Sequence, residues 1–207
     1  MYARLQGQGL YVITDGPRPD LLDAVALALA GGARLLQYRD KTGEDARRLA
    51  EAKAIRALCT AHGVPMIVND DVALALAAGA DGVHLGEDDG DLQAARAVLG
   101  SQAIIGVSCY DSLERARQLA AAGADYIAFG AFFPSPTKPH ARRASLELLR
   151  QTAALGVPRV AIGGITPENA SLLIDAGADY LAVISAVFGD TDVRAAAARF
   201  AHLFTTD

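Results

Sequence analysis

The tetrapeptide Ala-Gly-Ala-Asp recurs at 78–81, 122–125 and 176–179, each time at the end of a helical pattern and just before an apolar run of β type. Gly31-Gly32-Ala33-Arg34 is a weaker copy. Glycine suits the left-handed residue that ends a helix, so each copy reads as a joint that stops a helix and feeds a buried strand. The strands that follow the joints are Leu35 to Arg39, Gly82 to Leu85, Tyr126 to Phe129 and Tyr180 to Ile184. Further apolar runs at Leu10 to Thr14, Pro65 to Asn69, Ala103 to Val107 and Pro158 to Ile162 bring the expected total to eight strands. Segments between them carry helical spacing: Leu113, Ala116 and Ala120 share a face from which Glu114, Arg115, Arg117 and Gln118 mostly turn away. Asp111 with Glu114 resembles a capping box, and Thr166-Pro167 puts a capping hydroxyl before a proline at the first helical position.

Strands that are almost continuously apolar, alternating with about eight helices, point to parallel pairing covered by helices. The expected architecture is an α/β single-domain (β/α)8 TIM barrel spanning residues 1–207. A doubly wound open sheet competes, but no Gly-x-Gly-x-x-Gly follows the first strand and the joints recur along the whole chain. At 52% hydrophobic and 21% charged, the chain can build a large core, which excludes disorder as its main state. A formal charge of −5 with no long basic run argues against a nucleic-acid partner. Cys59 and Cys109 lack the CxxC spacing of zinc or redox sites and suit a reducing compartment. With neither a leader-like start nor an apolar segment of about 18 residues, the expectation is a cytoplasmic protein without a membrane partner. Homo-oligomerisation stays open, with no contact patch identified.

Active sites of such barrels lie at the carboxyl ends of the strands. Alternation puts Gln37, Arg39 and, if the chain stays extended, Lys41 on one face, with Tyr38 and Asp40 on the other. Two cations and an amide then form a cradle for a phosphate-bearing group, the alternative being an internal salt bridge of Arg39. Asn69-Asp70-Asp71 and Glu87-Asp88-Asp89 follow the third and fourth strands and can converge as oxygen ligands for Mg²⁺. Asp71 and Asp88 read equally well as helix caps. Ser108 closes the fifth strand; Ser135, Thr137 and Lys138 follow the sixth in a loop stiffened by prolines, which is either a phosphate contact or a solvated turn. Gly163-Gly164 and Ile184-Ser185 end the seventh and eighth strands, where barrels often hold phosphate, although the glycines could be turn residues only. His84 and Cys109 read as packed core, and His62, His140 and His202 as surface residues. The result is two anion sites around one barrel mouth, suited to joining two phosphorylated small molecules.

Gln37-Tyr38-Arg39-Asp40-Lys41, Val68-Asn69-Asp70-Asp71, Gly82-Val83-His84-Leu85-Gly86, Gly106-Val107-Ser108, Pro134-Ser135-Pro136-Thr137-Lys138, Ile162-Gly163-Gly164-Ile165 and Val183-Ile184-Ser185 occur in this order. Through these segments the chain resembles the thiamine-phosphate synthase family over nearly its full length. The resemblance implies condensation of a pyrimidine diphosphate with a thiazole phosphate, with loss of pyrophosphate, by a dissociative mechanism. It implies that Gln37, Arg39, Lys41, Asn69 and Lys138 contact the pyrimidine diphosphate and that Asp70 and Asp89 hold Mg²⁺. Ser108 would lie beside the pyrimidine and the departing pyrophosphate, while Ser135, Thr137, Gly164, Ile184 and Ser185 would receive the thiazole phosphate. Arg39, Ser108 and Lys138 are the expected catalytic groups. Ser135 replaces a threonine common in relatives, Tyr110 a histidine and Glu87 a glutamine; the last two are given no role. A thiazole tautomerase of the same superfamily and a noncatalytic phosphate-binding regulatory barrel are the rival readings.

Overall fold

A computed structural model describes residues 5–134 and 142–205. Eight strands and nine helices are found among these residues: β1 (Gly9–Ile13), α1 (Leu21–Ala30), β2 (Leu35–Tyr38), α2 (Asp45–His62), β3 (Met66–Asn69), α3 (Val72–Ala78), β4 (Gly82–Leu85), α4 (Leu92–Leu99), β5 (Ile104–Tyr110), α5 (Leu113–Ala121), β6 (Tyr126–Gly130), α6 (Leu146–Gln151), β7 (Arg159–Ile162), α7 (Pro167–Asp175), β8 (Tyr180–Val183), α8 (Ser185–Phe188) and α9 (Val193–His202). Every strand pairs in parallel with its sequence neighbours, and β1 closes the ring on β8, with Gly9 opposite Tyr180 and Val12 opposite Val183. The architecture is the (β/α)8 barrel expected from the alternation of runs. One helix more than expected arises because the segment after β8 is split into the four-residue α8 and the longer α9. None of the described helices is long and apolar enough to cross a membrane.

Alternation along the strands divides the apolar residues into two cores. Tyr11, Leu35, Ile67, Ile104, Tyr126, Val160 and Tyr180 point inward and fill the barrel, while a larger shell, including Val12, Leu36, Val68, Val83, Ile127 and Leu181, packs against the helices. A packed interior leaves only the rim above the carboxyl ends of the strands for chemistry.

The repeated tetrapeptide acts as a latch at the opposite end. Its glycines, Gly79, Gly123 and Gly177, have φ of 65°, 96° and 98°, the left-handed conformation that turns the chain out of a helix. Its aspartates then reach back to the preceding strand: Asp81 accepts from Met66 N, Asp125 from Ile105 N and Asp179 from Arg159 N, each at 2.8 Å. Each carboxylate also meets an arginine, Asp81 with Arg56 at 2.9 Å, Asp125 with Arg96 at 2.6 Å and Asp179 with Arg159 at 3.1 Å. In the weaker copy Arg34 stands in place of the acid and lays its stem over Gly9, where a Cβ would come within 2.6 Å of its Cγ.

Two local expectations are corrected. α5 is capped by Ser112, whose side chain accepts from Arg115 N, and not by Asp111, because the chain stays in β5 as far as Tyr110 and turns one residue later. α4 is capped by Asp91, and Asp88 is exposed in the loop before it. Thr166 caps α7 with Pro167 behind it, and Asn169 Oδ1 accepts from Thr166 N at 3.0 Å to close a capping box.

The Asp125 side chain is 4% exposed and that of Asp81 29%. Asp125→Ala takes the anion from the mostly buried Arg96, which keeps only its carbonyl partners, and leaves a buried strand N–H unpaired, and is expected to cost about 3 kcal/mol in urea denaturation. Asp81→Ala should cost about 1 kcal/mol, because water can replace its partners; equal losses would show that burial does not set the strength of the latch.

Candidate active site

The end of β2 sorts its residues by alternation. Gln37, 2% exposed, points into the barrel and donates from Nε2 to Tyr11 Oη at 2.6 Å. Tyr38 points outward and donates to Glu51 of α2. Asp40 also faces outward, bound to Arg47 at 2.7 Å and accepting from Thr42 N at 2.7 Å, so it braces the loop. Arg39 is held through its backbone: the Thr14 hydroxyl donates to Arg39 O at 3.1 Å and accepts from Arg39 N at 2.8 Å. Its guanidinium makes no ion pair among the described residues, so the internal salt bridge considered as an alternative does not form with them. Lys41, 62% exposed, reaches Asp70 at 3.5 Å.

At the end of β3, Asp70 sits at φ 64°. Its N–H donates to His84 O at 2.8 Å, and this left-handed residue turns its carboxylate back over the rim, toward Asn69 Nδ2 at 2.5 Å. The next residue, Asp71, caps α3 by accepting from Leu74 N and pairs with Arg48 at 2.9 Å. In the loop after β4, Asp89 accepts from Gly86 N at 2.9 Å and lies within hydrogen-bonding reach of Asp70. Burial first, and the neighbouring Asp89 second, raise Asp70 above the ordinary carboxylate range, with Lys41 opposing. Asp40, Lys41, Thr42, Arg48, Asn69, Asp70, Asp71, Val72 and Asp89 line a cavity of about 530 Å³ over this pair.

The rim continues through β5. Ser108 Oγ lies 2.9 Å from His84 Nε2, and His84 Nδ1 lies 2.9 Å from Tyr126 Oη. Burial pushes the His84 imidazole down to about 4, against the pull of Asp89. Cys109 points the other way, buried among the helices with its thiol pushed up to about 12. Tyr110, at φ 56°, accepts from Glu87 N at 3.2 Å. Arg142 lies 4.1 Å above the Tyr110 ring and pairs with Glu87 at 2.7 Å. These two residues, left without a role by the sequence, thus join the loops after β4 and β5 to the chain leading into α6.

Gly163 and Gly164 have φ of 104° and 64°, and a Cβ on either would come within 2.4 Å of Ala131 or of Pro134 O. They let the loop after β6 pack onto β7, where Phe133 N donates to Gly163 O at 3.0 Å. Ile184 precedes α8 and Ser185 opens it, exposed, at the end of β8. Gly164, Ile184 and Ser185 therefore share the rim with the acidic pair but are not among the walls of its cavity. Ser135, Thr137, Lys138 and His140 lie outside the described residues. Sequence reasoning missed Thr14, Tyr11 and Tyr126. The two tyrosines were legible in principle, because a tyrosine at an inward position must find a partner for its hydroxyl.

The fold and rim define a (β/α)8 barrel with an acidic pair, cations and an amide gathered at the carboxyl ends of β2 to β4. The family described as thiamine monophosphate synthase matches residues 10–187, and the chain belongs to it. It is 58% identical over 199 residues to a thiamine-phosphate synthase of Xanthomonas campestris pv. campestris, covering 96% of each chain. The identity to the thiamine-phosphate synthase of Chromobacterium violaceum is 58% over 194 residues, covering 93% of each. The structure of a thiamine phosphate pyrophosphorylase from Pyrococcus furiosus superposes with a TM-score of 0.86 at 38% identity, covering 95% of each chain.

Because Asp70 has its proton affinity raised on folding, its ionised form opposes the native state above that raised value and ceases to do so as pH falls through it. Asp70→Asn in metal-free buffer is therefore expected to gain on the order of 1 kcal/mol against urea at pH 7, a gain that shrinks on acidification. Lower stability of the variant at pH 7 would contradict the repulsion inferred here.

Proposed function

We propose that this protein condenses 4-amino-2-methyl-5-hydroxymethylpyrimidine diphosphate with 4-methyl-5-(2-hydroxyethyl)thiazole phosphate, giving thiamine phosphate and pyrophosphate. The observation that carries the reading is the Asp70 and Asp89 pair facing the cavity beside Lys41 and Asn69, with the guanidinium of Arg39 unpaired among the described residues. Two carboxylates that repel one another in partial burial fit a hard divalent cation completed by water and phosphate oxygens, and Mg²⁺ is the ion such a donor set suits. No group of three or more acidic, histidine or cysteine side chains competes for a metal among the described residues. When bound, Mg²⁺ neutralises charge on the diphosphate.

The chain's own residues account for the rest. Gln37, Arg39, Lys41, Asn69 and Lys138 hold the pyrimidine diphosphate, and Ser135, Thr137, Gly164, Ile184 and Ser185 seat the thiazole phosphate. The carbon–oxygen bond to the diphosphate breaks first, its electron pair leaving with pyrophosphate, and the pyrimidine ring delocalises the positive charge left on its methylene carbon. The thiazole nitrogen then donates its lone pair to that carbon, so no proton need be moved and no protein nucleophile is required. Negative charge grows on the leaving group as the bond stretches, so Arg39 and Lys138 interact more strongly with the transition state than with the ground state. Fixing both phosphates holds the nitrogen against the nascent cation. A tautomerase reading would need an acid or base after β5, where Tyr110 stands with its hydroxyl accepting from Glu87 N. The two free, buried cysteines support a cytoplasmic setting.

Purified protein is expected to release pyrophosphate only when both substrates and Mg²⁺ are present; no release with intact fold would overturn the reading. Asp89→Asn is expected to lower turnover at limiting Mg²⁺ by about tenfold or more, while circular dichroism stays unchanged. Full activity of this variant at limiting Mg²⁺ would remove Asp89 from the ligand set.

A further inference from the structure

Beneath the rim the barrel holds an unbroken file of polar side chains. Gln37 Nε2 donates to Tyr11 Oη at 2.6 Å, Tyr11 Oη lies 2.8 Å from Tyr126 Oη, and His84 bridges Tyr126 and Ser108 at 2.9 Å on either side. The file crosses the barrel from β2 through β1, β6 and β4 to β5. It occupies space that the packing reserves for it. Gly106 of β5 points inward, and a Cβ there would come within 1.8 Å of the Tyr126 ring, so no other residue would let that ring lie across the interior. Tyr11 meets the same ring edge-on at 5.9 Å, and His84 stacks on it at 5.5 Å. Gln37, Tyr11 and Tyr126 are buried at 2%, 1% and 0% exposure, so water does not compete for their hydrogen bonds.

Counting protons gives the file a direction. Each tyrosine hydroxyl has one hydrogen to give. With the Gln37 amide oriented so that Nε2 faces Tyr11, Tyr11 accepts its hydrogen; giving every hydroxyl hydrogen a partner then sends the Tyr11 hydrogen to Tyr126 and the Tyr126 hydrogen to His84 Nδ1. With Nδ1 accepting, the single N–H of the imidazole is on Nε2 and points to Ser108 Oγ. The Ser108 hydroxyl, receiving from below, has its own hydrogen free for the mouth of the barrel.

We propose that Gln37, Tyr11, Tyr126 and His84 form a one-way chain of donors that fixes the half-buried Ser108 hydroxyl as a hydrogen-bond donor to a lone-pair acceptor of the bound pyrimidine substrate. Tyr11, Tyr126 and His84 are then positioning residues that act through Ser108. The inference rests on the proposed synthesis for the identity of the ligand, but the direction of the chain is a property of the protein alone. It also implies a selectivity: a substrate analogue presenting an N–H where the acceptor should be meets a donor already committed to face it.

Nitrogen-15 NMR of the ligand-free protein, with His84 assigned by comparison with His84→Gln, reads the direction without any turnover. A protonated Nε2 and an unprotonated Nδ1 are expected; a proton on Nδ1 would reverse the chain and overturn the proposal. In the assay, Tyr126→Phe is expected to lower kcat about tenfold, the equivalent of one hydrogen bond, with KM for the thiazole phosphate within about twofold. His84→Gln, whose amide can donate from near the Nε2 position, should retain several times the kcat of His84→Asn, whose shorter amide cannot reach Ser108. Equal kcat for these two, or an unaltered kcat in Tyr126→Phe, would overturn the role of the chain. Wild-type protein that makes no pyrophosphate would instead sink the proposed synthesis while leaving the tautomer to be read.

Discussion

Closure of β1 onto β8 is the constraint on which everything else depends. The ladder from Gly9 and Tyr180 to Val12 and Val183 turns a row of parallel strands into a ring, and parallel strands deliver all their carboxyl ends to one rim. Once the ring is closed, the two-residue period of a strand decides which side chains enter the barrel and which meet the helices. Gln37 and Tyr38 are neighbours in sequence with opposite fates, one bonded to Tyr11 inside the ring and the other to Glu51 outside it. The same rule carries past the strand end, where Asp40 braces α2 through Arg47 while Lys41 turns to Asp70.

The two ends of the barrel spend polar groups differently. At the amino-terminal end the carboxylates of Asp81, Asp125 and Asp179 are saturated by strand N–H groups and arginines. At the rim, Asp70 and Asp89 face one another and raise the proton affinity of Asp70. Acids of identical chemistry are thus satisfied where each has a cation and a donor, and resist ionisation where like charges are held together. Stability is supplied at one end and given up at the other, a division common where a rigid scaffold carries a reactive face.

Much of this was legible in the sequence, for physical reasons that can be named. The recurrent glycine announced the helix-to-strand joints because a left-handed turn is a local requirement, whereas the reach of the aspartates to the preceding strand is not local and was not read. Alternation at Gln37 to Lys41 was readable because it depends only on extended geometry. Strand ends were less so: β5 runs to Tyr110, three residues beyond the run read from apolarity, because Ser108 is tolerated inside by a partner on β4 that no local pattern reveals. Thr14, which holds the backbone of Arg39, and the tyrosine file were missed for the same reason, since each exists only once distant strands are neighbours. Asp88 was offered as a cap because an acid ahead of a helix suits that place, and only the loop path puts Asp91 at the cap of α4 instead.

The central claim of the proposed function is that the acidic pair and the cations of the β2 end share one ligand, so that a metal held by Asp70 and Asp89 would touch the diphosphate. Electron–nuclear double resonance with Mn²⁺ in place of Mg²⁺ tests this most directly, using the enzyme with a non-reacting analogue of the pyrimidine diphosphate. A phosphorus-31 coupling from bound diphosphate is predicted for the wild type, together with loss of the bound Mn²⁺ signal in the Asp70→Asn, Asp89→Asn double variant. Mn²⁺ held equally well by the double variant, or bound in the wild type without any phosphorus coupling, would contradict the account.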